Sequence, residues 1–243
     1  PATIMQDTLR QFQSHQRRLL LSEMLPVSGR TFQLGVQTAL VEQDELLDRA
    51  VENAKLKTPD GPGILRSSLA NYFAGALMMP YVEFRKAAQE FKHDLELLQQ
   101  RFMASLEQVC HRLTTLQRPD DRGISFFFIR VDKAGNVSKR LIPSWGQRET
   151  AGGFKFARFG GTCARWILHD TFASPGRILT QISTMPDDTT FFTFAKTLDP
   201  IGSWQYGGTA QYAIGLGCEM KDAKNIIYSD GLNLKKAKSG VPV

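Results

Sequence analysis

From Asp94 to Leu116 apolar residues recur at intervals of three and four: Leu95, Leu98, Phe102, Leu106, Val109, Leu113 and Leu116. That spacing makes one buried helical stripe, in one piece or two. Upstream, Arg17–Leu25 is a short apolar run stopped by Pro26, which a strand or a buried turn of helix would fit equally well. Ser28-Gly29 leads into a predicted long helix reaching about Lys57, broken by Thr58-Pro59-Asp60-Gly61-Pro62-Gly63. A second helix is predicted over Leu65 to Met79, and Pro80 either opens another or kinks this one.

The pattern changes after the polar turn Arg118-Pro119-Asp120-Asp121-Arg122-Gly123. Strands are predicted over 124–132 and 137–142, joined by Lys133-Ala134-Gly135-Asn136 into a hairpin. Residues 151–159 read as extended, and Cys163 to Phe172 as a helix stopped by Ser174-Pro175-Gly176. Further strands are expected at 178–185, 190–197, 211–216 and 225–228. Strands adjacent in sequence with an inserted helix predict an α+β fold with an antiparallel sheet. The expected division is a helical part over 1–120 and an α+β sensor part over 121–243.

Composition narrows the class. A chain of 243 residues can bury a sizeable core. No apolar run reaches the ~20 residues of a membrane helix, and no signal-peptide pattern opens the chain. Beginning at Pro1, it is expected to be a fragment or a processed product. Three scattered cysteines, Cys110, Cys163 and Cys218, fit no disulfide framework and suit a reducing, cytoplasmic compartment. A net charge of +6 favours an anionic partner, although it is dispersed. Lys235, Lys236 and Lys238 form its nearest approach to a cluster and read as a solvated tail.

Arg30-Thr31-Phe32-Gln33-Leu34-Gly35-Val36-Gln37-Thr38-Ala39-Leu40 resembles the active helix of the ImmA/IrrE-type metallopeptidase-like proteins, which carries His-Glu-x-x-His. Zinc chemistry needs two imidazoles one turn apart and a carboxylate base. Here Val36 and Leu40 stand at the histidine positions and Gln37 at the glutamate position, so no zinc chemistry follows. Residues 70–80 also resemble that family, without its upstream acidic ligand.

Longer strings carry a closer resemblance. Leu21-Ser22-Glu23-Met24-Leu25-Pro26, the segment Gln108 to Pro119, Phe126 to Asn136, Arg158 to Cys163, Ser174 to Gln181 and Tyr228-Ser229-Asp230-Gly231-Leu232 look like the short-chain fatty acyl-CoA regulators, which include regulators of acetate and propionate metabolism. The resemblance implies a cytoplasmic transcription regulator and not an enzyme. It implies DNA binding through a helix-turn-helix outside this chain, and a short-chain acyl-CoA effector such as propionyl-CoA. It also implies control of short-chain fatty acid catabolism genes. A homodimer is expected because regulators match two operator half-sites. Where the family pattern has Cys-x-x-Cys and a further Cys, Val243 comes first. An iron–sulfur cluster or zinc held with Cys163 or Cys218 would therefore be incomplete here.

Coenzyme A recognition needs cations for phosphate, apolar or aromatic surface for adenine, and a closed slot for the acyl group. Arg158, Phe159, Gly160, Gly161, Arg165 and Trp166 offer several of these together, the Gly-Gly opening a predicted helix N-terminus. A plain Gly turn with two surface arginines reads the same way. Arg130 and Lys139 on the predicted hairpin, and Lys196, are further candidate cations or exposed strand charges. Tyr72 and Phe73 are core residues or lining for an acyl slot. His111 reads as a cap or surface residue. Two other functions stay open: an acyl-CoA thioesterase or acyltransferase using Cys163 or His169, and a nucleic-acid-binding module using the +6 charge.

Overall fold

The computed structural model describes residues 8–142, 163, 165–184, 189–198, 211–232, 234 and 239–240. Arg158, Phe159, Gly160, Gly161, the 151–159 segment and Lys235, Lys236 and Lys238 lie outside the described residues. The chain forms two compact units: Pro1–Phe84 with Gln99–Ser105, and Arg85–Leu98 with Leu106–Val243.

The first unit opens with a hairpin of β1 (Arg10–Gln13) and β2 (Arg18–Leu21). Within the apolar run before Pro26, Arg18–Leu21 is thus a strand, and 22–25 is a turn. Helix α1 (Val27–Glu42) follows Pro26. The predicted continuous helix is two: α2 (Asp44–Asn53) starts anew after Gln43. Asp44 and Glu45 in its first turn favour a helix start through the helix dipole. Helix α3 (Gly61–Met78) begins with Gly61-Pro62, proline being suited to a first turn that has no partner for its N–H. Gly35 of α1 meets α3 so closely that an added Cβ would lie 3.1 Å from the Ala74 Cβ. Val36, Ala39, Leu47, Ala70 and Ala74 form the core there, with Phe32, Leu40, Leu69 and Phe73 around it. Arg66 of α3 pairs with Asp44 and Asp48, one turn apart on α2.

Pro80 opens a new helix, α4 (Tyr81–Glu90), its carbonyl accepting from Phe84 N at 2.9 Å. The 94–116 stripe is two helices, α5 (Leu95–Phe102) and α6 (Leu106–Thr114). Asp94 caps α5, its Oδ1 accepting from Glu96 N at 2.9 Å and Leu97 N at 3.1 Å. The polar turn at 118–123 is a tight return: Gly123 N donates to Leu116 O at 2.8 Å.

The second unit is built on a sheet of β3 (Phe127–Asp132), β4 (Val137–Leu141), β5 (Leu179–Thr184), β6 (Thr190–Thr197) and β7 (Tyr212–Glu219). Its order is β4-β3-β7-β6-β5, all antiparallel, and the two-residue β8 (Ser239–Gly240) adds parallel to β5. The expected α+β fold is the one observed. The β3–β4 turn rests on Gly135 at φ 88°, and the Asp132 carboxylate accepts from both Asn136 N and Nδ2 at 2.9 Å.

Both faces of this sheet are buried, which explains the near-continuous apolar runs in β3, β6 and β7. On one face Phe127, Ile129, Val131, Phe191, Ala195 and Ala213 pack with Trp166 and Leu168. The other face carries Phe128, Phe192, Phe194 and Leu216, all at 0 or 1% exposure. The predicted helix at 163–172 is short, α7 (Ile167–Asp170) running into a 3-10 turn Thr171–Ala173. Gln181 ties its start to the sheet: Oε1 accepts from Ile167 N at 2.9 Å and Nε2 donates to Arg165 O at 3.1 Å. The strand expected at 225–228 is instead a pair of 3-10 turns, Met220–Asn225 and Ile227–Ser229. Ser229 Oγ donates to the Ala223 and Ile226 carbonyls at 2.7 and 2.9 Å, the local side-chain bonding that competes with a ladder.

Candidate functional site

Charge enters the second unit along one row of the sheet. The register aligns Lys196, Ile214, Arg130 and Lys139 across β6, β7, β3 and β4. Each cation of the row meets a carboxylate at the second position of a helix. Glu107 of α6 accepts from Arg130 Nη1 with both oxygens, at 2.9 and 3.0 Å, and lies 3.5 Å from Lys139 Nζ. Glu96 of α5 accepts from Lys196 Nζ at 2.7 Å. Arg130 is held further by Ser138 Oγ, to which its Nε donates at 2.9 Å, and by the Tyr212 ring 5.0 Å below it. Lys139 stands 5.9 Å over the Phe128 ring. Two cations thus share one carboxylate, leaving net positive charge at a half-buried position where screening is weak.

His111 lies one turn beyond Glu107. Burial pushes its pKa down to about 4, with Lys139 and Arg112 pushing the same way against Glu107. Its ring is therefore neutral at neutral pH.

Beside the row is a narrow apolar slot lined by Leu106 and Cys110 from α6, by Phe194, Ile214 and Leu216 from the sheet, and by Lys196. Its free volume is about 10 Å³, barely one water's worth. An acyl group enters only if side chains or a helix give way. Burial and the nearby Glu107 push the Cys110 thiol far up, so it is a neutral packing group and not a nucleophile.

Of the residues expected from sequence, Arg130, Lys139 and Lys196 come together in this row. Arg165 is exposed in the turn before α7, and Trp166, at 2% exposure, lies in the core cluster of the opposite sheet face. Tyr72 is 45% exposed on α3, in the first unit. His111, read as a cap or surface residue, is mostly buried. Glu96 and Glu107 were not foreseen, because nothing in sequence connects a strand cation with a carboxylate 23 or more residues earlier. Their place at the second position of two helices was the one signal available.

The cysteine donors do not form a metal site among the described residues. Zinc or a cluster needs three or four converging ligands, and no group of three His, Cys, Asp or Glu side chains there could hold an ion. Cys110 and Cys218 are buried and Cys163 is half-buried, all as free thiols. Burial, with Asp222 and Glu219 nearby, pushes the Cys218 thiol far up.

Helices α1 and α3 with an apolar core in place of ligands, joined to a sheet unit, define a peptidase-like scaffold carrying a second module. Comparison with known proteins agrees: residues 1–114 match the IrrE N-terminal-like domain, and residues 115–243 match the model described as "Short-chain fatty acyl coenzyme A regulator, C-terminal". The chain belongs to the short-chain fatty acyl coenzyme A regulator family. It is 41% identical over 234 residues to the "HTH-type transcriptional regulator PrpR" of Mycobacterium tuberculosis, covering 96% of this chain and 46% of that protein. It is 44% identical over 217 residues to the "Propionyl-CoA carboxylase regulator" of Cereibacter sphaeroides, covering 89% of this chain and 45% of that protein. A solved "Mycobacterium tuberculosis transcriptional regulator" superposes with a TM-score of 0.91 at 38% identity, covering 100% of this chain and 72% of the other. The chain spans about half the length of the curated relatives it matches. Those relatives are named as regulators. No helix among the described residues is long and apolar enough to cross a membrane.

Proposed function

We propose that this chain is the effector-sensing part of a cytoplasmic, dimeric transcription regulator of short-chain fatty acid catabolism, with a short-chain acyl-CoA such as propionyl-CoA as effector. DNA contact belongs to a helix-turn-helix elsewhere in the full protein. The observation that carries the reading is the cation row beside an apolar slot that is closed but lined for a small acyl group. Anionic phosphate and a short apolar chain are the two ends of the ligand that such a pairing suits.

The arrangement also offers a means of response. A phosphate drawn to Arg130 and Lys139 competes with Glu107 for the same donors. Releasing Glu107 frees the first turn of α6, which carries Leu106 of the slot wall. Ligand then favours one of two arrangements of α6, which is what coupling to a distant DNA-binding element demands.

Titration calorimetry of the chain with propionyl-CoA and acetyl-CoA tests this. Saturable binding is expected, weakened about tenfold or more in Arg130→Gln, the loss of one charge-assisted phosphate contact. Absence of heat and of thermal shift at millimolar ligand would sink the reading.

A further inference from the structure

A second cavity of the second unit, far roomier than the slot, lies apart from the row. It is a cleft of about 640 Å³ between the end of α4, the 122–125 return and the 3-10 turn at 220–225. Five cations line it: Arg85, Lys92, Arg122, Lys221 and Lys224, against one carboxylate, Asp222. Three of the cations are engaged at its rim. Arg85 pairs with Asp121, Lys92 with Asp230 at 3.0 Å, and Lys221 with Glu219 at 2.7 Å. Arg122 and Lys224 have no ion-pair carboxylate among the described residues.

The cleft wall is also built at a cost. Lys92 and His93 are consecutive non-glycine residues in the left-handed region, at φ 48° and 61°. The corner is held by His93 N donating to Ala88 O at 2.7 Å and Ile227 N donating to Lys92 O at 2.9 Å. His93 is 4% exposed, and burial lowers its pKa, so the ring is neutral. Its Nδ1 lies 3.1 Å from the Asn225 carbonyl, which makes Nδ1 the protonated nitrogen and leaves Nε2 an acceptor. A strained, clamped corner presenting a buried neutral imidazole to a basic cleft is costly to keep without a ligand.

We propose that this cleft binds a phosphorylated metabolite of nucleotide size. Arg122 and Lys224 hold the phosphate, and Asp222, Asn225 and His93 face its hydroxyl-bearing part. A concave, bounded cavity suits a small molecule, whereas a duplex or an acidic chain would need a stripe of charge. Asp222 sets the class further: a carboxylate repels a bare anion but accepts from sugar hydroxyls. Burial pushes its pKa up, with Glu219 acting the same way and Lys221 and Lys224 opposing. The proposal stands independently of the acyl-CoA reading.

Calorimetry of the whole chain with ADP and, separately, with propionyl-CoA tests it, in Arg122→Glu and Lys224→Glu. Both residues are exposed, so neither substitution threatens folding. Lys86→Glu, an exposed residue of α4 outside the cleft lining, controls for overall charge. The expected result is saturable ADP binding, weakened about tenfold or more by either cleft variant and by less than about twofold in the control. If propionyl-CoA weakens in parallel, the cleft holds the phosphate end of that ligand. If it does not, the cleft serves a separate free phosphometabolite, and both outcomes uphold the site. Failure of propionyl-CoA alone to bind overturns the effector reading and leaves the cleft standing. The cleft proposal falls if neither ligand binds, or if the cleft variants weaken neither ligand more than Lys86→Glu does.

Discussion

The α1–α3 pair and the four-strand row of cations treat their special positions in opposite ways. On α1, the positions where a metallopeptidase-like helix would carry zinc ligands hold Val36, at 4% exposure, and Leu40, which packs against the same cluster. Across the sheet of the second unit, half-buried positions hold Arg130 and Lys139 around Glu107. Apolar side chains in a core need no further explanation. A half-buried ion triad usually does, since apolar residues of similar size often do as well for stability alone. The difference is that apolar packing accounts for the first set of positions, whereas stability alone does not readily account for the second.

The largest expected effect concerns the sheet core that supports the row. Phe128 is fully buried, pairs with Leu216 and Leu141, and carries Lys139 over its ring. Phe128→Ala is expected to cost about 3–5 kcal/mol in urea unfolding, from lost transfer energy plus a cavity. A loss under about 1 kcal/mol would mean that the row rests on some other support.

Next comes an attempt to give the helical unit its missing chemistry. Val36→His, Gln37→Glu and Leu40→His together restore the His-Glu-x-x-His order on α1. The His at position 36 enters a wholly apolar cluster, so a loss of about 2–4 kcal/mol is expected, with no change in Tm on adding zinc. A zinc-dependent rise in Tm would break the comparison, because the scaffold would then still hold a usable site.

The third effect is a pH dependence from His111. Its folded pKa of about 4 lies below the unfolded value. Between those values the unfolded chain binds the extra proton, so stability rises with pH there. The contribution is complete above about 6.5 and lost as pH falls through about 4. About 1–3 kcal/mol is expected, at ~1.4 kcal/mol per pKa unit. His111→Gln is expected to flatten the stability curve between pH 7 and 4.5, measured by urea unfolding against the parent chain. An unchanged slope would place the titration elsewhere, His93 being the other buried imidazole.

Much of this was legible in the sequence, and the reasons differ by element. The β3–β4 hairpin was readable because Lys133-Ala134-Gly135-Asn136 needs the positive φ that Gly135 adopts. Strand β6 was readable from its β-branched and aromatic run. The break at Gln43 was not, since no glycine or proline marks it and the restart depends on Asp44 and Asp48 meeting Arg66 of α3. The turns over 225–228 looked like a strand because Ile226, Ile227 and Tyr228 are apolar, while the competing Ser229 bonds are local side-chain bonds that an apolar pattern does not reveal. Single cations of the site could be named from sequence. Their alignment could not, because the row exists only through the register of four strands. The cleft cations were invisible because they come from three separate segments, Arg85 and Lys92, Arg122, and Lys221 with Lys224, which only the tertiary fold brings together.

The smallest expected stability change is the most informative about the contrast. Glu107→Gln keeps the shape of the side chain and removes its charge from beneath Arg130 and Lys139. Arg130 retains Ser138 and the Tyr212 ring, and the triad is only half-buried, so a loss of about 1 kcal/mol is expected. If Glu107 merely braces α6, acyl-CoA affinity falls or stays level in this variant. If it competes with ligand phosphate for the two cations, affinity rises several-fold despite the lower stability, since a glutamine amide holds them less strongly. Opposite signs for stability and binding in one substitution are not produced by general loosening of the fold. Calorimetry and urea unfolding on the same preparation therefore decide whether the charged row is kept for the ligand or for the sheet.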